Sequence, residues 1–133
     1  MAVIVLDTSV LIAFLDPDDA LHERARHSLQ APDVIDEEWV VPNTVCAELL
    51  VGAHIAGDEA VATIDAFIDE GVDRVEAMTL SIARLAAQIR ANNARLGLAD
   101  AFVLATGELL GADVILTSDR SWPRASQRVR VVY

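Results

Sequence analysis

Four acidic side chains occur where the neighbouring residues are apolar: those of Asp7, Glu48, Asp100 and Asp119. Most other acidic residues lie in polar stretches and are expected at a solvated surface. A buried carboxylate costs several kcal/mol unless a cation compensates it. If the four side chains came together, they would also repel one another and could not all remain ionised unaided. A divalent metal ion would relieve that repulsion, so such a cluster predicts a metal site.

Each acid also has an ordinary structural explanation. Asp7 ends a predicted strand and can cap the following helix, and Asp119 suits a turn after another strand. Asp100 stands in the first turn of a predicted helix, where it complements the helix dipole. Glu48 lies in an apolar helical stretch, 45–51, which is expected to be buried, and an arginine could neutralise it there. These alternatives stay open for each residue taken alone.

The four acids lie among segments whose patterns predict strands that alternate with helices. Predicted strands cover residues 2–6, 39–41, 72–77, 113–116 and 129–132. Predicted helices cover residues 8–15, 16–29, 44–56, 59–69, 79–96 and 98–110, with Asn43 or Thr44 as the cap of the third. This alternation indicates an α/β fold with a mostly parallel sheet covered by helices on both faces.

In such a fold the active site lies outside the carboxyl ends of the strands. Asp7 and Asp119 follow strand ends, while Glu48 and Asp100 belong to early turns of helices beside those ends. We therefore expect the four carboxylates to meet at one edge of the sheet. Oxygen ligands favour Mg²⁺ or Mn²⁺ over zinc, which prefers nitrogen and sulfur.

The bulk properties suit one globular domain spanning residues 1–133, because over half of the residues are hydrophobic. Cys46 is the only cysteine. It excludes an internal disulfide and is expected to be a small buried residue. No signal peptide is recognisable and no apolar stretch approaches the length of a membrane span. We expect a cytoplasmic protein that does not engage membranes.

The net charge of −11 is unusual for a protein that binds nucleic acid. All ten basic residues are arginines, and lysine is absent. A divalent metal and a local cluster of arginines could still permit nucleic-acid chemistry, with weak non-specific affinity for RNA. The acidic excess also suits a basic partner protein.

The sequence around the four acids resembles the PIN-domain nucleases and, within them, the VapC-like toxins of bacterial toxin–antitoxin pairs. The matching segments are 5–12 (VLDTSVLI), 46–49 (CAEL), 98–106 (LADAFVLAT) and 116–119 (LTSD). Their order and spacing cover nearly the whole chain. The segment 120–123 (RSWP) departs from the family, because it lacks the phenylalanine often found shortly after the last acid.

The resemblance implies a three-layer α/β/α sandwich with four or five strands and an endoribonuclease activity that depends on Mg²⁺ or Mn²⁺. It implies metal ligands and supporting hydroxyls at Asp7, Glu48, Asp100, Asp119, Thr8 and Thr117. It also implies a homodimer and a cognate antitoxin whose C-terminal tail fills the acidic groove. Arg95 and Arg120 lie near the expected rim and are candidate contacts for the RNA backbone; ordinary surface arginines are the alternative.

Three other functions remain to be weighed. Receiver domains and haloacid-dehalogenase-type phosphotransferases also use an aspartate after a first strand together with Mg²⁺. The phosphatases need a second aspartate where this chain has Ser9, and both classes need a lysine, which is absent. A second alternative is a catalytically inactive PIN-like module for dimerisation or antitoxin binding. A third is DNA as the substrate, which the residues themselves do not separate from RNA.

Overall fold

The computed structural model describes residues 1–30 and 36–133, which form five strands and six helices. The strands are β1 (Ala2–Leu6), β2 (Glu37–Pro42), β3 (Arg74–Glu76), β4 (Val114–Thr117) and β5 (Val129–Val131). The helices are α1 (Thr8–Leu15), α2 (His22–Gln30), α3 (Asn43–Ala56), α4 (Asp58–Ala66), α5 (Leu80–Asn92) and α6 (Leu98–Leu110). A π-helical turn (Phe67–Gly71) and a 3₁₀ turn (Trp122–Arg124) complete the regular structure of these residues.

The five strands form one parallel sheet in the order β3-β2-β1-β4-β5. The central strand β1 pairs with β2 on one side and with β4 on the other, where Leu6 lies opposite Leu116. The apolar run that predicted β1 is explained by its position, since Val5 and Leu6 are fully buried. Asp7 leaves β1 at the carboxyl edge of the sheet, at the point where the strand order reverses.

Helices cover both faces of this sheet. The chain moves in one direction from β1 to β3 and then crosses back to β4, so right-handed crossovers place α1 to α4 on one face and α5 and α6 on the other. The main helix contacts agree, since α1 packs on α2 and α3, α3 packs on α4, and α5 packs on α6. The expected three-layer arrangement around a parallel sheet is confirmed, with five strands.

The second helix begins later than the sequence pattern predicted. The prediction started it at residue 16, whereas α2 begins at His22. The side chain of Asp16 accepts a hydrogen bond from the N–H of Asp18, and that of Asp19 accepts one from the N–H of Leu21. These local bonds hold the backbone in turns and compete with the helix.

Two other helix predictions were wrong in detail. Neither Asn43 nor Thr44 caps α3, because the cap position is Pro42, which makes no side-chain bond there. Helix α5 ends at Asn92 instead of residue 96. The amide of Asn93 donates to the carbonyl of Ile89, which terminates the helix and starts the turn that leads to α6.

The π-helical turn between α4 and β3 requires a glycine at its end. A Cβ atom at Gly71 would lie 2.7 Å from the ring of Phe67. Phe67 packs against Phe14, whose ring in turn meets Trp39 at an angle of 89°. Because Gly71 has no side chain, Phe67 can pack there and join Phe14 and Trp39 in an aromatic cluster beside β2.

The core is continuous on both faces of β1 and includes Cys46, as expected, and Trp122. Burial raises the pKa of the Cys46 thiol. Within residues 1–30 and 36–133, none of the helices combines the length and apolar character needed to cross a bilayer.

Candidate active site

Asp7 is buried at the junction of β1 and α1, with 6% of its surface exposed. Its Oδ1 accepts a hydrogen bond from the N–H of Thr8 at 2.8 Å, so it caps α1 as the sequence suggested. Its Oδ2 accepts two further bonds of 2.8 Å, from the hydroxyls of Ser9 and Thr117. Burial raises the pKa of Asp7, although these three bonds oppose the shift. A carboxylate offers about four lone-pair sites, so Oδ1 retains room for one more partner.

Glu48 is exposed, which contradicts the prediction of a wholly buried helix. Val51 and Ile55 on α3 are also exposed, by 61% and 83%. The helix buries only one side, formed by Val45, Cys46, Leu49 and Ala53. The hydroxyl of Thr8 donates to Oε1 of Glu48 at 3.0 Å. Glu48 is therefore tied to the end of β1 through the residue that follows Asp7.

Asp100 lies half-buried in the first turn of α6. Its pKa is raised to about 6, firstly by burial and then by the negative charges of three other carboxylates. Those carboxylates are Asp7, Asp119 and Glu48, in order of decreasing effect. Asp100 thus lies within electrostatic reach of the three other acids, and their role as one joint site stays a prediction.

Asp119 follows β4 and is exposed. Its Oδ1 accepts hydrogen bonds from Ser121, at 2.9 Å from the backbone N–H and 2.6 Å from the hydroxyl. These bonds lower the pKa of Asp119. The hydrogen bonds of Asp119 therefore act on its pKa in the opposite direction to the burial of Asp100.

The hydroxyls of Thr117 and Ser9 join the ends of β1 and β4. Thr117 donates to Asp7 and accepts a bond of 3.1 Å from the N–H of Asp119. Ser9 likewise donates to Asp7 and accepts a bond of 3.1 Å from the N–H of Ser118. Thr8 and Thr117, the predicted supporting residues, both contact acids of the cluster.

Sequence analysis did not assign Ser9 or Ser121 to the site. The signal was present, because a serine follows two residues after both Asp7 and Asp119. In each case the serine hydroxyl donates to the aspartate before it. In both Asp-x-Ser segments the serine orients the aspartate, Ser9 from the first turn of α1 and Ser121 from the turn after β4.

The predicted rim arginines differ in their surroundings. Arg95 is exposed in the turn before α6. The guanidinium of Arg120 stacks on the ring of Tyr133, 4.7 Å from its centroid. Trp122, which occupies the segment without the family's phenylalanine, is fully buried and belongs to the main core.

The chemistry of the cluster fits a hard divalent cation, since its donors are carboxylate and hydroxyl oxygens. None of the ion pairs among the described residues includes Asp7, Glu48, Asp100 or Asp119. Arginine neutralisation, the structural alternative for Glu48, is thus not found in this part of the chain. In the same residues, no group of three or more His, Cys, Asp or Glu side chains is arranged so that it could hold a metal ion. The donor types fit a cation, and the side chains would have to move towards it.

The PIN domain family matches residues 4–127, and the chain belongs to that family. None of the functionally curated proteins compared with it matches this chain. Its fold is similar to that of several solved structures.

Three of these structures represent the likeness. A toxin–antitoxin complex from Klebsiella pneumoniae is similar with a TM-score of 0.76 and 20% identity, over 100% of this chain and 98% of that one. DNA-bound VapBC from Salmonella typhimurium is similar with a TM-score of 0.72 and 22% identity, over 100% of both chains. VapC20 from Mycobacterium tuberculosis, a Sarcin-Ricin loop cleaving toxin, is similar with a TM-score of 0.71 and 22% identity, over 84% of this chain and 86% of that one. At these identities the likeness establishes the fold.

Proposed function

We propose that this chain is an endoribonuclease that depends on Mg²⁺ or Mn²⁺ and acts as the toxin of a toxin–antitoxin pair. The observation that carries the proposal is the convergence of Asp7, Glu48, Asp100 and Asp119 at one edge of a PIN-domain sheet, without an arginine to neutralise them among the described residues. A similar fold in a Sarcin-Ricin loop cleaving toxin supports RNA as the substrate.

The four acids would divide the work according to their surroundings. Asp7 and Asp100 are the less exposed pair and would be the core ligands of the cation. Glu48 and Asp119 are exposed and would act partly through water or orient the attacking water. Bound there, the cation would neutralise the phosphate charge and lower the pKa of a water molecule.

The hydroxyls would keep these carboxylates aligned before the substrate arrives. Ser9 and Thr117 fix one oxygen of Asp7, and Thr8 holds Glu48 beside it. Such preorganisation matters because a shift of about 1 Å in a catalytic group can cost on the order of a hundredfold in rate. A bound cation would compensate the repulsion between the carboxylates of Asp7 and Asp100, so Asp100 could move towards Asp7.

The test of the nuclease is incubation of purified protein with total cellular RNA in Mg²⁺, Mn²⁺ or EDTA, followed by mapping of new RNA ends. The proposal expects discrete cuts that need the metal and disappear in Asp100→Asn. A single-stranded DNA of matching sequence should remain intact. Folded wild-type protein that binds Mn²⁺ without cutting either substrate would overturn the proposal in favour of an inactive binding module.

An apolar groove beside Glu48 supports the antitoxin part of the proposal. The groove has a volume of about 660 Å³ and runs between α1, α3 and α4, with Ile12, Leu15 and Ile64 in its walls. Glu48 and Glu59 also line it. An antitoxin tail with apolar residues and a basic side chain would match this lining, and it would reach the acid cluster through Glu48.

The partner is tested by coexpression with candidate antitoxins whose C-terminal tails carry apolar and basic residues. Wild-type protein should be copurified and its RNA cleavage blocked. Ile12→Asp, in the groove wall, should escape both effects. The matched control is Ile55→Asp, which alters an exposed residue of α3 outside the groove and should still be bound. Equal binding of both variants would rule out this groove.

We also propose a homodimer. In the sequence, the amphipathic segments 59–69 and 79–96 both offer a dimer surface, and the alternative for each is a place in the core. Leu80, in the second segment, is exposed on α5, and Leu98 and Leu109 are exposed on the neighbouring α6. These side chains support a dimer surface formed by α5 and α6. Sedimentation of wild-type protein and Leu80→Asp tests this, because a dimer that uses α5 should dissociate in the variant.

A further inference from the structure

We propose that Tyr133, together with Arg120 and Arg24, forms a subsite that stacks an unpaired RNA base and binds the adjoining phosphate. This inference rests on the proposed ribonuclease function. The three residues come from the 119–121 turn, α2 and the segment after β5, and they meet at one place. Arg120 stacks on the Tyr133 ring at 4.7 Å, and Arg24 donates a hydrogen bond to the Tyr133 carbonyl.

The subsite lies at the same edge of the sheet as the acids. Val131 of β5 is paired with Thr117 of β4, and the N–H of Val132 donates to the Thr117 carbonyl at 2.8 Å. Tyr133 therefore stands two residues beyond that pair, a rise of about 7 Å. Thr117 itself holds Asp7, and Arg120 directly follows Asp119. An RNA strand bound at the acids would pass next to Tyr133.

The subsite carries two positive charges, those of Arg24 and Arg120. Arg26, Arg74 and Arg128 each lie within 4 Å of a glutamate oxygen. Arg24 and Arg120 form no such pair within residues 1–30 and 36–133. In a chain with a net charge of −11, two cations that both contact Tyr133 provide local positive charge to which a phosphate could bind.

The ring of Tyr133 would bind the RNA base of this subsite. Tyr133 is 58% exposed, so its ring is available to a base while Arg120 stays in contact with it. Single-stranded nucleic acids bind proteins by stacking bases on aromatic rings and guanidinium planes, and by placing phosphates near cations. Paired bases cannot enter such a contact, so the subsite would favour loops and unpaired ends.

The first experiment measures binding without cleavage. A fluorescently labelled single-stranded RNA is titrated with the protein in EDTA, and anisotropy gives the dissociation constant. Tyr133→Ala should weaken binding on the order of tenfold, whereas Tyr133→Phe should bind like wild type. Tyr133→Leu keeps an apolar side chain without a stacking ring and should resemble Tyr133→Ala. Arg120→Ala should also weaken binding, and Arg124→Ala, at an exposed arginine of the 3₁₀ turn, is its matched control for charge and should bind like wild type.

The second measurement locates the contact. RNA that contains 5-iodouridine is irradiated with the protein, and the cross-linked residue is identified by mass spectrometry. A cross-link at Tyr133 that Tyr133→Leu abolishes supports the subsite. Equal RNA affinity in wild type and in Tyr133→Leu, with only the melting temperature lowered, would overturn it and leave Tyr133 as a structural contact. Failure of wild-type protein to cut RNA at all would defeat the nuclease proposal separately, because this assay does not depend on cleavage.

Discussion

The hydroxyl of Thr117 donates a 2.8 Å hydrogen bond to Oδ2 of Asp7 and thereby connects the carboxyl ends of two neighbouring strands. Oγ1 of Thr117 also accepts a hydrogen bond of 3.1 Å from the N–H of Asp119. One fully buried hydroxyl therefore sets the relative positions of two of the four acids.

Replacing Thr117 by valine should reduce both stability and cleavage. Valine has nearly the same shape but removes a donor from a buried carboxylate, which costs about 1–3 kcal/mol. Urea unfolding measures this loss, and single-turnover RNA cleavage measures the misplacement of Asp7. The control is Thr106→Val, because Thr106 is also fully buried but donates to the Phe102 carbonyl of its own helix. Cleavage that falls equally in both variants would argue against a special role for Thr117.

The metal-free protein should lose stability as the pH rises through about 6, and Asp100 should be a cause. The pKa of Asp100 is raised from 3.8 to about 6 in the folded protein. Its contribution to stability is therefore fully present below pH 4 and is lost as the carboxyl ionises in the fold. In EDTA at pH 7.5, Asp100→Asn should melt at a higher temperature than wild type, and the two should converge near pH 4. If the difference in melting temperature between the two proteins did not change with pH, ionisation of Asp100 would not be its cause.

With divalent metal bound, wild type should melt at a higher temperature than Asp100→Asn. Mn²⁺ at about 100 times its dissociation constant would stabilise the folded wild type by ~2.7 kcal/mol. Asp100→Asn has lost a proposed ligand and should respond much less. Thermal melts at pH 7.5 across a Mn²⁺ titration provide the test. Equal shifts in both proteins would place the bound Mn²⁺ elsewhere.

Glu48→Gln should separate function from stability. Glu48 is exposed, so the variant should change the free energy of unfolding by no more than about 0.5 kcal/mol. It should still weaken Mn²⁺ binding, measured by calorimetry, and slow RNA cleavage. Glu70→Gln, at another exposed glutamate, is the matched control and should leave both unchanged. Wild-type Mn²⁺ affinity in Glu48→Gln would remove Glu48 from the proposed ligand set.

The parts of the fold that follow from buried apolar periodicity could be predicted from sequence. β1 is a continuous apolar run because it is the central strand, and α6 ends at Gly111 because that residue adopts a left-handed conformation with φ of 61°. The start of α2 could not be predicted in this way. Proline and acids at residues 16–19 suit a helix start, but the side chains of Asp16 and Asp19 form turns instead.

The four acids could be selected from the sequence, but their surroundings could not all be predicted. Glu48 was selected because its neighbours are apolar, which suggested burial, yet the groove between α1, α3 and α4 leaves that side of α3 open. The roles of Thr8 and Thr117 depend on contacts between residues 40 and 110 positions apart. The place of Tyr133 follows from the register of β5, which no local sequence pattern specifies.

The most direct test of the central claim, that the four acids jointly hold a divalent cation, is a crystal structure of the protein soaked in Mn²⁺ and measured near the manganese absorption edge. The claim predicts an anomalous peak bounded by the carboxylates of Asp7 and Asp100, with Glu48 and Asp119 around it directly or through water. The peak should be absent in Asp100→Asn crystals grown in the same way. Manganese bound only elsewhere on a protein that still cuts RNA would contradict the claim.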